Sequence, residues 1–291
     1  MMLTLTNIFF SGLSLGAIYC IFALGLSLVY GTSRVLNFAY GSMYMTAAYG
    51  AWLLSDGWLG LNYPGVFLVL MPAAFAFGLL VERFVIRPVR NRPQWKTATM
   101  MTTLGFAFVL DNLNLVVFGP TAKAMPPLME GAVQILGVTV ANQTLAVVGL
   151  ALLAVAVLQA FLTWAPLGQA MRAVSQDMAG AAIVGIRVNR VFALGFGLSA
   201  MLAAFAALLL SPVYLVSPLG GWPPFLKAFV IVVFGGLGST QGVMWAAFIL
   251  AFVEAAVIAV FGATWILPVW FVVLLAVLLV RPRGLMGKWG N

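Results

Sequence analysis

The sequence predicts an all-α integral membrane protein, a polytopic helical bundle of about eight or nine transmembrane passes. Three observations carry this. Hydrophobic residues make up 64% of the 291 and charged residues only 7%, whereas soluble domains run near a quarter charged; no water-facing surface can be built from that composition. The apolar runs are close to the roughly 20 residues that a helix needs to cross the hydrocarbon, not the alternating runs of about ten that mark a membrane barrel. Twelve of the 14 basic residues sit in short connections beside those runs, the charge bias that orients membrane helices.

The first pass covers residues 8–30. No Lys or Arg precedes Arg34, so the basic start of a signal peptide is missing and this helix is expected to stay. Cys20 lies within it without an intrachain partner. Further apolar runs cover 35–54, 64–85, 97–118, 143–164 and 191–216. The last third holds a short run at 225–234, then 243–261 and 264–280. The short run crosses only if 235–242 continues it. No soluble domain or long linker interrupts them, so 1–291 reads as one transmembrane domain.

Orientation follows from the basic residues. Connection 83–96 carries Arg83, Arg87, Arg90, Arg92 and Lys96; 165–190 carries Arg172, Arg187 and Arg190; the tail 281–288 carries three more. With Arg34 these are expected in the cytoplasm, which puts 55–63 and 119–142 on the far side. Alternation then gives nine passes, N-terminus outside and C-terminus cytoplasmic, or eight if a weaker run only dips into the membrane. The net charge of +8 is explained by topology, and no nucleic-acid partner is expected.

Several motifs are accidents of letters. Gly12-Leu13-Ser14-Leu15-Gly16 matches a nucleophile elbow, but that turn needs a strand before it and a His partner; the chain has no His. Gly12 and Gly16 instead form a small face for close helix contact. Gly195–Ala200 imitates a dinucleotide fingerprint inside an apolar helix with no strand ahead of it. Gly235–Gly242 lacks the Lys-Ser/Thr ending of a phosphate loop, so this chain is not expected to bind ATP. Without His, His-bearing metal sites and Ser-His-Asp catalysis are excluded; no cofactor is expected.

Two ionisable side chains lie in apolar runs, Asp111 and Glu254. Each costs about 2.5–3.5 kcal/mol at a helix centre, so each faces a cavity or a partner. Either it lines a pathway or it is a hydrogen-bonded carboxyl that holds helices together, and the sequence leaves both readings open. Two isolated carboxyls make poor acid–base machinery. Residues 40–52 alternate small and aromatic side chains, for which packing is the simpler reading. Trp58, Trp222, Trp245, Trp265 and Trp270 include interfacial anchors. Polar breaks at 31–41 and 235–242 echo one another weakly. Transporters place broken helices at matching points of two halves, although both breaks here follow outside-to-inside runs and form no obvious inverted pair. Asn37, Tyr40, Gly41, Gly235, Gly236, Gly238, Ser239 and Gln241 are the candidate pathway or broken-helix residues.

The stretch least like the rest is 165–190. Pro166 and Gly168 open a helix that Gly185 can close. Met171, Val174, Met178 and Ala181 share its apolar face, and Arg172, Ser175, Gln176 and Asp177 its polar one. Too short and too charged to cross a bilayer, it belongs at the membrane surface. It is either a docking handle for a soluble partner or a connecting helix.

The segments Arg172-Ala173-Val174-Ser175-Gln176-Asp177, Ala182, Gly185-Ile186 and Arg190-Val191 resemble the inner-membrane permeases of branched-chain amino acid ABC importers. Gly25–Gly31, Leu36-Asn37-Phe38-Ala39, Lys227-Ala228-Phe229, Gly235–Ser239, Glu254-Ala255 and residues 281–287 agree in order, so the resemblance spans the chain. The build is more like the LivH-type than the LivM-type subunit. The resemblance implies the ABC importer permease fold and a bacterial inner-membrane location. It implies as partners a homologous LivM-type permease, two cytoplasmic ATPase subunits and an extracytoplasmic solute-binding protein. It also implies that 165–190 is a coupling helix seated on the ATPase, with Arg172, Ala173, Asp177, Ala182 and Gly185 at the contact. One departure is visible: after Asn37-Phe38-Ala39 the family commonly has His-Gly and then Glu or a small residue, where Tyr40, Gly41 and Ser42 stand here. The solute could therefore be a branched-chain amino acid, a related amino acid or a small amide. The alternative from another class is an autonomous secondary transporter or channel; a membrane enzyme lacks the residues for catalysis.

Overall fold

The structure, a computed structural model, describes residues 2–57, 59–135, 138–281 and 284–286. Trp58 and the tail residues Pro282, Arg283, Gly287 and Lys288 lie outside the described residues. Eleven helices run in order among them: α1 (Met2–Ser33), α2 (Tyr40–Trp52), α3 (Tyr63–Val81), α4 (Trp95–Phe118), α5 (Asn142–Trp164), α6 (Pro166–Gln176), α7 (Met178–Ile183), α8 (Val188–Leu210), α9 (Trp222–Gly235), α10 (Thr240–Phe261) and α11 (Ile266–Val280). Wider π-helical turns extend α2 over Leu53–Gly57 and α3 over Glu82–Ile86. Among the described residues, seven helical segments are long and apolar enough to cross a membrane; α9 is apolar but shorter. The apolar window of α1 is 83% buried and that of the last span 6%. An all-round apolar helix is thus enclosed by the rest of the chain in one case and left open at its surface in the other.

The all-α expectation fails at one place. Strands β1 (Ala132–Ile135) and β2 (Val138–Ala141) pair antiparallel, with Val133 opposite Val140 and Gln134 opposite Thr139. Their β-branched, alternating residues suit a pleat. Composition, dominated by membrane helices, hides so short a hairpin.

The chain divides into two compact units. The first holds Met1–Ser27, Pro127–Ala156 and Leu226–Asn291. In it Gly12 and Gly16 lie against Phe252 and Phe248 of α10: a Cβ on either glycine would come within 2.5 Å of the facing ring. The small face read from the sequence is therefore a helix contact.

The second unit holds Leu28–Pro126 and Val157–Phe225. There α3 packs along α8, and α2 packs against α8 and α4. One core gathers Met43, Val81, Leu110 and Phe196, another Val66, Leu70, Ala204 and Leu208. Helices α3 and α8 cross at Gly78, where a Cβ would lie 2.4 Å from the Phe196 carbonyl oxygen and 2.8 Å from the Gly197 Cα. Backbone cannot yield as a side chain does. Gly78→Val is therefore expected to destabilise the protein by about 1–3 kcal/mol or more, read as a lower unfolding temperature in detergent. Gly105→Ala on α4, with nothing within 4 Å of the new Cβ, should leave that temperature unchanged or raised.

The two ends of this unit are distinct. At one, Arg34 donates to the Ser175 carbonyl and Arg90 to Asn189. At the other, Lys123 and Val216 exchange backbone hydrogen bonds of 2.8 and 2.9 Å, and the Lys123 ammonium stands 5.2 Å from the Trp52 ring centroid.

Candidate functional site

The segment 165–190 forms two helices, not the single one expected. Asp177 leaves the helical region (φ −145°, ψ 109°), and its carboxylate accepts from the Ala179 N–H at 2.9 Å, capping α7. Asp competes for nearby backbone donors and so favours caps over helix interiors. Gly185 does close the segment, at φ +88°. Its N–H reaches the Ala182 carbonyl and that of Ile186 reaches Ala181, the paired bonds of a glycine-terminated helix. The apolar face holds: Met171, Val174 and Ala181 are buried. Arg172, Asp177, Ala182 and Gly185 are exposed and Ala173 is half-buried.

Three contacts fix this loop on the second unit. A Cβ on Gly168 would sit 2.2 Å from the Phe161 carbonyl oxygen, so α6 folds directly onto the end of α5. Arg172 donates to the Thr163 carbonyl at 3.3 Å, and Arg34 to that of Ser175. Sequence reasoning missed Ile183 and Val184, which are 86% and 76% exposed at the tip of α7. Two large apolar residues in a row directly before Gly185 were the available signal.

The first break runs from Arg34 to Ala39. The Phe38 N–H donates to the Thr103 hydroxyl at 3.2 Å, eight residues into α4, so helix α2 begins well inside the bundle. Non-helical backbone at such depth must be sheltered by protein, and Val35, Asn37 and Ala39 are buried. The Asn37 carboxamide oxygen accepts from the Ala39 N–H at 3.1 Å and supports the entry to α2. Tyr40 is fully buried. Gly41 meets Gly221 backbone to backbone: a Cβ on Gly221 would be 2.1 Å from the Gly41 carbonyl oxygen. Next to that contact the Trp222 indole donates to Asp111 at 2.9 Å, which ties the start of α9 to α4.

The second break is a tight turn between α9 and α10. Gly236 and Gly238 take positive φ, and Ser239 caps α10 through the Gly242 N–H at 3.1 Å. Gly235 packs on Gly242 and Val243, while Gln241 is exposed. Leu285 and Met286 donate to the Phe234 and Gly235 carbonyls at 2.7 and 3.1 Å, so the tail satisfies the end of α9.

The two carboxyls differ. Glu254 accepts from the Lys227 ammonium at 2.7 Å, the Trp270 indole at 2.9 Å and the Tyr19 hydroxyl at 3.1 Å. Four helices, α1, α9, α10 and α11, meet on that one carboxylate. Lys227, a cation within the short apolar run 225–234, is its counter-ion. Asp111 is as buried, 3% exposed, yet among the described residues no cation lies within ion-pair distance of it. No cluster able to hold a metal occurs among the described residues.

The family model for the branched-chain amino acid transport system permease component matches residues 8–281. This chain belongs to that family. The permease is 30% identical over 296 residues, 96% of this chain and 94% of the relative, to the high-affinity branched-chain amino acid transport system permease protein LivH of Escherichia coli K12. It is 32% identical over 292 residues, with the same coverage, to BraD of Pseudomonas aeruginosa, which carries the same description. The solved structure of PsaBC from Streptococcus pneumoniae in complex with Fab aligns over 96% of this chain and 92% of that one, at 14% identity and a TM-score of 0.49. The chain is thus a transport permease component and not an enzyme, and the alternative of an autonomous carrier or channel falls away.

Proposed function

We propose that this permease passes a branched-chain or related amino acid, or a small amide, across a bacterial inner membrane. Separate cytoplasmic ATPases supply the energy. Its working assembly contains a homologous LivM-type permease, two ATPase subunits and an extracytoplasmic solute-binding protein. The high-affinity branched-chain systems of LivH and BraD support the solute class. The permease is one transmembrane domain with nine passes, N-terminus outside and C-terminus cytoplasmic. Seven passes are the long apolar helices; α2 with its extended entry, and α9, supply the other two. In support, Arg34 and the loop 165–190 share one end of the second unit, while Lys123 and Val216 share the other.

The observation that carries the proposal is the α6–α7 loop. It is fastened to the bundle by Gly168, Arg172 and Arg34, yet presents Asp177, Ala182, Ile183, Val184 and Gly185 to the outside. A rigid base with an exposed apolar and charged tip can be moved as one body by a partner, the kind of step that switches access. The pathway runs past Asn37, Tyr40, Gly41 and Asp111. Gly235, Gly236, Gly238, Ser239 and Gln241 form the broken-helix turn of the other unit.

Reversing charge at the contact tests this. Arg172→Glu and Asp177→Lys should lower ATP-driven uptake about tenfold or more, since disrupting a docked charge pair costs a few kcal/mol. ATP hydrolysis by the co-purified subunits should persist. Asp177→Asn keeps the α7 cap and should be milder. Coupled uptake at the normal rate in both reversals would remove the coupling assignment.

A further inference from the structure

Beyond the close contact at Gly78, an open cavity of about 700 Å³ lies between the end of α3, the end of α7 and the start of α8. That is the size of a small-molecule site. Arg83 and Arg87 line it from the end of α3, and Arg187 and Arg190 from the start of α8. All four are exposed. Its one acidic lining residue, Glu82, is already held by Arg90 at 3.4 Å. Arg90 itself is committed elsewhere: it bonds Asn189 and lies 4.6 Å from the Phe192 ring centroid. Burial pulls its guanidinium below the usual range, against the opposing pull of Glu82. Arg83 and Arg87 also feel the Glu82 charge, but among the described residues none of the four lining arginines has an ion-pair partner, so one carboxylate is set against five guanidiniums around this cavity.

We propose that this cavity holds the headgroup of an anionic phospholipid, its phosphate held among Arg83, Arg87, Arg187 and Arg190. Guanidinium forks match phosphate oxygens two at a time, and basic pockets between membrane helices suit such headgroups. The cavity wall changes character as a lipid does: Leu79, Val188 and Ala193 line it beside the arginines. Next to Leu79, Leu80 and Phe84 are 51% and 68% exposed on α3, an apolar track for acyl chains. Orientation by positive charge explains arginines on one side of a membrane. It does not explain their convergence on one cavity from two separate segments. Ala182 of the loop tip and Ile186 line it as well, so the cavity adjoins that tip, whereas Arg172 and Asp177 do not line it.

The test is native mass spectrometry of the full chain, purified with its accompanying subunits and titrated with cardiolipin or phosphatidylcholine. Wild type should retain cardiolipin preferentially. Arg83→Gln/Arg187→Gln should lose that preference about tenfold or more, at about one kcal/mol of attraction per basic residue. Arg83→Lys/Arg187→Lys should keep part of it, and Arg92→Gln/Lys96→Gln, an equal charge loss outside the lining, nearly all. Unfolding temperatures in phosphatidylcholine should match for all four proteins. Absence of a cardiolipin preference in wild type overturns the proposal, as does an equal loss in the Arg92/Lys96 pair. Inorganic phosphate displacing cardiolipin at matched concentration would make it a free-anion site and overturn it too. So would unchanged lipid retention with loss of the ATPase subunits, which would assign the arginines to a protein partner.

Discussion

Glu254→Leu and Lys227→Met should each destabilise the permease by about 3–5 kcal/mol, the cost of leaving one charge of a buried pair without its partner. The pair is 2.7 Å long, with side chains 16% and 3% exposed for Lys227 and Glu254. The double variant Lys227→Met/Glu254→Leu should recover most of the loss, because apolar residues that replace a whole buried pair cost little. Tyr19→Phe and Trp270→Phe each remove one donor to the carboxylate and should cost about 1–3 kcal/mol. Unfolding temperature and the fraction of monodisperse protein in detergent report all five. A single variant as stable as wild type, or a double variant worse than both singles, would show that the network does not hold the helices together.

This network marks where sequence reasoning stops. Hydropathy revealed the long helices because each satisfies its own backbone and needs only length and apolarity to be seen. Glu254 stood out for the same reason, as a charge in an apolar run. Its partners could not be read, because Tyr19, Lys227 and Trp270 come from three other helices far apart in sequence. Lys227 looked like an exception to the charge rule when it was a counter-ion. The break at Asp177 was legible in principle: an Asp followed two residues later by a free N–H is a cap signal. A smooth apolar periodicity across it concealed the break. The two polar breaks looked alike in composition but differ in construction. One enters α2 beneath the level of Thr103; the other is a glycine turn closed by the tail. Composition records which residues are polar, whereas burial and the partner's position decide what a polar residue does.

Gly221→Val and Gly41→Val should abolish uptake. The two backbones touch, so a Cβ on Gly221 would sit 2.1 Å from the Gly41 oxygen and one on Gly41 2.5 Å from the Gly221 oxygen. A valine forces α2 away from the chain before α9 and draws the Trp222 indole off Asp111. Overpacking of this kind costs about 1–3 kcal/mol, so a fall in unfolding temperature should accompany the loss of transport. Gly105→Val on α4 meets no neighbouring atoms and should transport normally. Asp111→Asn separates packing from passage, since an amide oxygen still accepts the Trp222 hydrogen bond while the charge is gone. If Asp111 lines the pathway, uptake should fall in that variant with the unfolding temperature intact, because a buried carboxyl without a cation of its own is free to meet a polar or cationic group of the solute. Normal uptake by Asp111→Asn would make Asp111 a packing residue like Glu254. The proposed route past Gly41 would then lack Asp111 as a lining residue.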